Sequence, residues 1–173
     1  MGDTVVTILA IVLAAVLMFI FPLMSVADRS DDVSQLSVQN STTTFVDNIR
    51  STGRITLADY NKFAQEINAT GNTYDIEIEV KVLDENPGKK TTQSQKDKIG
   101  ENVYYSVYTS QIEDILNSNK NYNLKEGDLF SVNVKNTNQT LAQQLKNFFY
   151  TVVGNDTYTI AASHGGMVTA TGK

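Results

Sequence analysis

Serine–histidine catalysis and histidine-ligated metal sites would depend on one residue in this chain, because His164 is the only histidine. Gly165 and Gly166 follow it, as in a loop that could offer backbone N–H groups to an oxyanion. Such chemistry also needs a nucleophile, typically presented in a Gly-x-Ser-x-Gly turn, and the sequence contains none. We therefore expect His164 to be a surface or strand-edge residue beside a glycine bend.

A second group of residues has the alternation of a calcium loop. Asn117, Asn119 and Asn121 occupy every other position, and Asp128 follows them. A calcium loop, however, uses charged ligands, a glycine at its sharp turn and a bidentate glutamate at its end. Tyr122 stands where that glycine would be. We expect a polar connection between elements here.

Acidic residues cluster at two further places. Asp28, Asp31 and Asp32 follow a long apolar run, and we expect them to form a solvated collar next to a membrane. Glu77 and Glu79 lie two residues apart on one face of an alternating segment, a spacing that acid–base catalysis could use. Nothing in the sequence indicates that either is buried, so we predict neither a metal site nor a catalytic site.

Nucleic acid is also an unpromising ligand. Four lysines are close together, Lys89, Lys90, Lys96 and Lys98, but no aromatic residue is interleaved to stack on bases. The whole chain has a formal charge of −5, whereas nucleic-acid-binding domains are normally basic.

There is no cysteine for thiol chemistry, disulfides or iron–sulfur clusters. We predict that the protein is not an enzyme and that it binds no cofactor, no small-molecule substrate and no nucleic acid.

The element before these residues is a membrane segment. Residues from Thr4 to Ala27 carry no charged side chain and are nearly all apolar. As a helix this run would extend roughly 36 Å, enough to cross a hydrocarbon core of about 30 Å. Pro22 lies near its far end, where it would kink a helix rather than abolish it. We predict a single-pass anchor over residues 1–27.

A cleaved secretory signal is the alternative, since Ser25, Val26 and Ala27 fit a small-x-small cleavage site. The absence of a basic residue before the apolar run, and its length, favour an uncleaved anchor. Arg29 would favour a cytoplasmic C-terminal side, but long domains are translocated largely regardless of such a charge. The lack of cysteine and the Asn- and Thr-rich composition favour an extracytoplasmic head.

The remaining sequence predicts an amphipathic helix extension over 28–55 and an α+β head domain over 56–173. The helix extension has an apolar stripe, and a second helix follows, capped by Thr56 with Asp59 and stopped by Gly71. The stripe residues are Val38, Thr42, Phe45, Val46 and Ile49.

Strict alternation from Tyr74 to Val82 predicts a strand with one wet face, which is typical of an antiparallel sheet. Residues 85–101 are expected to be a loop and 102–108 a strand. Further elements are a helix capped by Ser110 with Glu113, a strand over 128–135, a helix from Leu141 ended by Gly154, and a last strand over 157–162 and 167–170. That last strand is expected to bend at its two glycines. The predicted core residues are Phe63, Ile76, Ile78, Val80, Phe148 and Phe149.

This layout of an apolar span, an amphipathic helix and a small α+β head resembles the type IV pilin-like proteins. The stretches FVDNIRSTGRIT, INATGNTYDIEIEV, GDLFSVNVKN and SHGGMV resemble short membrane-anchored proteins of tight-adherence-like pilus and conjugation loci in Gram-positive bacteria. The resemblance implies a non-catalytic subunit of a pilus-like or pseudopilus-like surface or secretion filament. Its implied partners are membrane lipid and copies of itself or other pilin-like subunits.

Small residues in the apolar helix are the candidates for such packing, because association in lipid depends on close approach rather than on hydrophobicity. Thr7, Ala10 and Ala14 share one face of that helix, and Pro22 lies farther along it. The alternative function is a monomeric membrane-anchored accessory or binding module of a secretion or conjugation complex. Self-association through the helix distinguishes the two.

Overall fold

The structure, a computed structural model, describes residues 2–84, 104–150 and 160–173, with the backbone alone at 148–150. Its longest element is helix α1, Gly2–Thr52, which has 51 residues and continues through Pro22. At 1.5 Å per residue it is roughly 77 Å long. It ends at Gly53, whose positive φ of 68° lets its N–H donate to the Ile49 carbonyl oxygen at 2.8 Å.

Three helices and six strands follow α1 in the described residues. They are β1 (Arg54–Ile55), α2 (Leu57–Asn68), β2 (Tyr74–Leu83), β3 (Tyr104–Tyr108), α3 (Thr109–Asn117), β4 (Tyr122–Asn123), β5 (Leu129–Asn136), α4 (Leu141–Tyr150) and β6 (Ala161–Met167). Strands β3, β2, β5 and β6 form an antiparallel sheet in that order, and β1 pairs with β4. The predicted α+β fold class is confirmed.

The sheet has one buried and one wet face, as the alternation in β2 predicts. Ile78 pairs with Val132 and Val80 with Phe130, and all four side chains are buried. The alternate residues of β2 point to the opposite face, where Glu77 is exposed and Glu79 is partly exposed. Within the described residues, helices therefore cover one side of the sheet.

The second half of α1 is packed onto that buried face. All five predicted stripe residues, Val38, Thr42, Phe45, Val46 and Ile49, are buried. The Phe45 ring stacks on Phe63 of α2 at 4.4 Å between centroids and meets Phe130 of β5 edge-on at 6.1 Å. This aromatic cluster joins α1, α2 and the sheet at the centre of the core.

Helix α2 begins as predicted, because the Asp59 N–H donates to the Thr56 hydroxyl at 3.1 Å. The cap predicted for α3 is wrong. That helix begins at Thr109, one residue before Ser110, and the Gln111 side chain accepts from the Tyr108 N–H at 3.0 Å. The reason lies outside α3, since the Thr109 hydroxyl accepts a hydrogen bond from β2 and is fixed there.

The expected bend at Gly165 and Gly166 is also wrong, because β6 runs through both without interruption. A Cβ atom at Gly166 would lie 2.7 Å from the Arg50 guanidinium carbon. A Cβ atom at Gly165 would lie 2.8 Å from that of Ser131. The glycines leave space for a side chain of α1 and for the neighbouring strand rather than bending the chain.

Helix α4 begins with a capping box that the sequence analysis did not identify. The Gln143 N–H donates to the Thr140 hydroxyl, and the Thr140 N–H donates to the Gln143 side chain. Leu141, predicted to begin the apolar face, is exposed instead, and Ala142 is buried.

Of the predicted core residues, Phe63, Ile78 and Val80 are buried and Ile76 is partly buried. The side chains of Phe148 and Phe149, the predicted loop over 85–101 and the predicted helix end at Gly154 lie outside the described residues.

Candidate functional site

The first half of α1 has no packing partner in the described structure. Its most apolar window has a mean hydropathy of 3.0 and no buried residue. Met18 and Phe19, on adjacent positions, are each 76% exposed. By length and composition this is a helix that could cross a membrane, since a helix that is apolar on all sides needs an apolar environment.

The residues predicted to mediate helix packing all lie on this exposed half. Thr7, Ala10, Ala14 and Pro22 are exposed, and the first three share one helix face by their spacing. The Thr7 hydroxyl donates to the Asp3 carbonyl oxygen at 2.7 Å within the same helix. Its hydrogen-bonding capacity is therefore partly used, and the small volume of this face is what it offers a partner.

Near the residue at which the head begins to cover the helix, the outer side of α1 carries three exposed apolar residues, with the exposed Arg29 between the first two. Ala27 is the first residue of α1 that the head buries. Val26, Val33 and Leu36 nevertheless expose 67%, 63% and 61% of their surfaces. They lie on the side of the helix away from the sheet, where a solvated surface would normally be polar. The sequence analysis missed this surface, which we call the outer stripe.

The head contacts α1 through two polar side-chain pairs at the point where the apolar half ends. The Thr140 hydroxyl donates to the Asp31 carboxylate at 2.6 Å, and Lys146 lies 2.6 Å from Asp28. Asp31 is only 5% exposed, so the expectation of a solvated acidic collar is wrong for this residue. Asp32 is exposed, as expected. Two of the three carboxylates thus fix α4 and its cap to α1, and the end of the head next to the apolar half is firmly attached.

A second attachment lies one turn higher. The Gln35 side-chain amide donates to the Ala161 carbonyl oxygen at 2.6 Å and accepts from the Ala161 N–H at 2.9 Å. This pairing satisfies the backbone of β6 at the edge of the sheet, where a strand would otherwise present open hydrogen-bonding groups. Side chains of α1 therefore protect this edge as well as positioning the head.

The single histidine has a structural environment. His164 Nε2 lies 3.3 Å from the Asp47 carboxylate, which also accepts from Arg50 at 2.9 Å. The Arg50 Nε–H donates to the Met167 carbonyl oxygen at 2.9 Å, and the Arg50 carbonyl oxygen accepts from the Thr169 N–H. These contacts fasten the end of α1 to β6, and His164 is a strand-edge residue within them.

The residues that alternate as in a calcium loop do not lie together. Asn117 at the end of α3, Asn119 and Asn121 are exposed, whereas Asp128 is buried and accepts from the Lys125 N–H at 2.8 Å. Within the described ranges no three His, Asp or Glu side chains are grouped to hold a metal ion. The lysines at 89, 90, 96 and 98 lie outside those ranges.

Two tyrosines of the head have perturbed acidity. Burial raises the pKa of Tyr122 to about 12, with contributions from Tyr105 and from the charge of Asp128. Burial also raises the pKa of Tyr60 well above 10, and a hydrogen bond to Glu113 adds to the effect. Both side chains stay protonated at neutral pH and act as hydrogen-bond donors or packing groups.

No known family, curated protein or solved structure is significantly similar to the chain.

Proposed function

We propose that this protein is a membrane-anchored structural subunit that assembles with copies of itself into a pilus-like filament through α1. The observation that carries the proposal is the outer stripe, three exposed apolar residues of α1 that extend past the start of the head, with Arg29 among them. The resemblance of the sequence to type IV pilin-like proteins supports the same role.

Association of copies through α1 would remove the outer stripe from water. Fully burying one valine or leucine side chain stabilises by about 1.5–3 kcal/mol relative to leaving it in water. Val33 and Leu36 lie within the segment of α1 that packs on the head, beyond the apolar anchor, so lipid would not cover them there. Neighbouring α1 helices would cover the stripe, and another neighbour would pack on the small-residue face, which lies on a different side of the helix.

The rigid attachment of the head suits repeated assembly. The hydrogen bonds of Asp31 and Gln35 leave no flexible linker between the anchor and the sheet. Each copy would then present its head in the same orientation relative to its helix. If each copy contacts the next through two different surfaces in this fixed orientation, and the ring does not close, the repeated contact produces a helical filament.

The proposal predicts that the small-residue face is required for assembly. Replacing Ala10 and Ala14 together by leucine keeps the helix apolar, and leucine is favourable at the membrane centre by a few tenths of a kcal/mol. The added volume should separate neighbouring helices and abolish chemical cross-linking and filaments in negative-stain images of the detergent-extracted full chain. Expression in the membrane and the unfolding of the head should be unchanged.

The matched control replaces Val12 and Val16 by leucine, which adds volume on the opposite face of the same helix and should leave assembly intact. A companion variant, Leu36→Gln, tests the outer stripe and should weaken assembly without affecting the head. A wild-type chain that is monomeric under all conditions would favour the alternative, an anchored accessory or binding module of a secretion or conjugation complex.

The proposal also places the head outside the cell membrane. Protease added to intact cells should then digest the head and leave a fragment of α1 in the membrane. A head that is protected until the cells are lysed would place it in the cytoplasm and would argue against a surface filament.

A further inference from the structure

Strand β3 covers only part of its neighbour. It pairs with β2 from Glu79 to Leu83, whereas β5 pairs with β2 from Tyr74 to Lys81 on the other side. At Tyr108 the chain leaves the sheet and turns into α3. Among the described strands, the stretch Tyr74–Ile78 therefore has a neighbour on one side only.

The end of the β2–β3 ladder is closed by a side chain. The Ile78 N–H donates to the Thr109 hydroxyl at 2.7 Å, in the place where another residue of β3 would have accepted. Backbone groups of a strand point to alternate sides, so those of Ile76 and Tyr74 point the same way as those of Ile78. Thr109 Oγ1 lies 3.4 Å from the Ile76 carbonyl oxygen, and beyond it the strand edge continues along a groove.

This groove has a volume of about 720 Å³, within the usual range for binding sites. Its wall opposite β2 is formed by Tyr60 from α2 together with Ser110 and Glu113 from α3. The Tyr60 hydroxyl donates to Glu113 at 2.6 Å, which fixes the two helices relative to each other. The groove is thus a preformed space beside an open strand edge.

The charge of the groove has one sign. Four carboxylates line it, from Asp75, Glu77, Glu79 and Glu113, and no lysine or arginine is among its described lining residues. Glu79 is partly engaged, since it accepts from Ser106 at 2.8 Å and lies 3.9 Å from Lys81. Asp75 and Glu77 are exposed, and Asp75 lies opposite Lys135 of β5 in the register of the sheet. The charges of Glu113 and Asp75 also contribute to the raised pKa of Tyr60, as expected of a negative field.

We propose that this groove binds an extended basic segment of a partner protein, which adds as a strand to the edge of β2 at Tyr74–Glu77. Backbone hydrogen bonds to the open edge would supply affinity, and side-chain contacts would supply specificity. Alternate residues of the added strand lie across from Asp75 and Glu77 on the wet face, so lysine or arginine is required there. The residues between them face Tyr74 and Ile76 and should be apolar.

The probe is a labelled, end-capped five-residue peptide that alternates lysine and valine, titrated into the full-length protein in detergent and followed by fluorescence anisotropy. We expect saturable binding that weakens as salt is added. The double variant Asp75→Asn with Glu77→Gln should weaken binding about five- to tenfold, because it removes two exposed ion pairs. The control variant, Asp32→Asn with Glu126→Gln, removes two exposed carboxylates outside the groove and should bind as the wild type.

Strand addition is tested separately from charge. The same peptide with N-methyl groups on the residues that face β2 keeps its charges and loses its hydrogen-bond donors, so its binding should be lost. Equal binding of both peptides, or an unchanged affinity in the groove variant, overturns the proposal. Loss of self-association in the groove variant would assign the groove to a second copy of the chain and would also overturn it.

Discussion

The two halves of α1 share one secondary structure and have opposite surroundings. From Gly2 to Val26 no residue is buried, and apolar side chains cover every side of the helix. From Ala27 to Thr52 one stripe is buried and most of the remaining surface is polar. The backbone hydrogen bonds are of the same kind in both halves, so the side chains alone determine which solvent each half requires.

The comparison also indicates where stability resides. The second half contributes the Phe45 ring and the residues around it to the core of the head. The first half contributes no contact to that core. Substitutions in the second half should therefore change the unfolding of the head, whereas those in the first half should change the association that we propose for α1.

The largest expected effect is that of Phe63→Ala, which removes the ring on which Phe45 of α1 is stacked. Phe63 is 2% exposed, so a cavity would form and the free energy of unfolding should fall by about 3–5 kcal/mol. Urea denaturation of the full chain in detergent measures this. Val12→Ala and Leu36→Ala, on exposed positions of the same helix as Phe45, should change it by less than about 0.5 kcal/mol. A similar loss in Val12→Ala would mean that the two halves are not independent.

The next largest change in unfolding free energy is expected at the end of α1 that lies far from the apolar half. Gly53→Ala should cost about 2–4 kcal/mol, because Gly53 has a positive φ and an added Cβ would lie 2.1 Å from the Ala170 carbonyl oxygen. Gly71 is the matched control, with a φ of 84° and nothing within 4 Å of an added Cβ. Gly71→Ala should cost only about 1–2 kcal/mol. Equal losses would mean that the contact between the helix end and the C-terminal segment is easily displaced.

The junction of the two halves should respond less strongly. Asp31→Ala leaves the buried Thr140 hydroxyl without its acceptor and should cost about 1–3 kcal/mol of unfolding free energy. Asp31→Asn retains a side-chain oxygen as acceptor and should restore most of the loss. If both variants were as stable as the wild type, the head would not depend on this contact with α1.

The sequence predicted the parts of this arrangement that depend on local pattern. The stripe of α1, the Thr56 cap and the alternation of β2 are each visible within a few residues. The Thr140–Gln143 capping box was visible in the same way and was overlooked.

The errors come from contacts between distant residues. Asp31 is buried because Thr140 reaches it from another element, and no local pattern reports that pairing. Strand β6 has glycines because Arg50 of α1 occupies the space beside Gly166 and Ser131 of β5 occupies the space beside Gly165. The outer stripe required the structure for a similar reason, since only the packed face of α1 shows that Val33 and Leu36 point away from it.

The smallest predicted effect is a dependence of head stability on alkaline pH. Tyr122, on β4, is partly buried against the core, and its pKa is about 12 in the folded chain compared with about 10 when exposed. Below pH 10 the tyrosine is protonated in both states and contributes no pH dependence. Between pH 10 and pH 12 the unfolded chain loses this proton while the folded chain retains it, so rising pH favours unfolding. Urea midpoints should therefore fall across that interval, and the fall should be smaller in Tyr122→Phe.

The first half of α1 has no tyrosine, so its helix content and its proposed association should not follow this titration. An identical fall in Tyr122→Phe would assign the alkaline transition to other groups and would remove Tyr122 from the features that distinguish the head from the anchor.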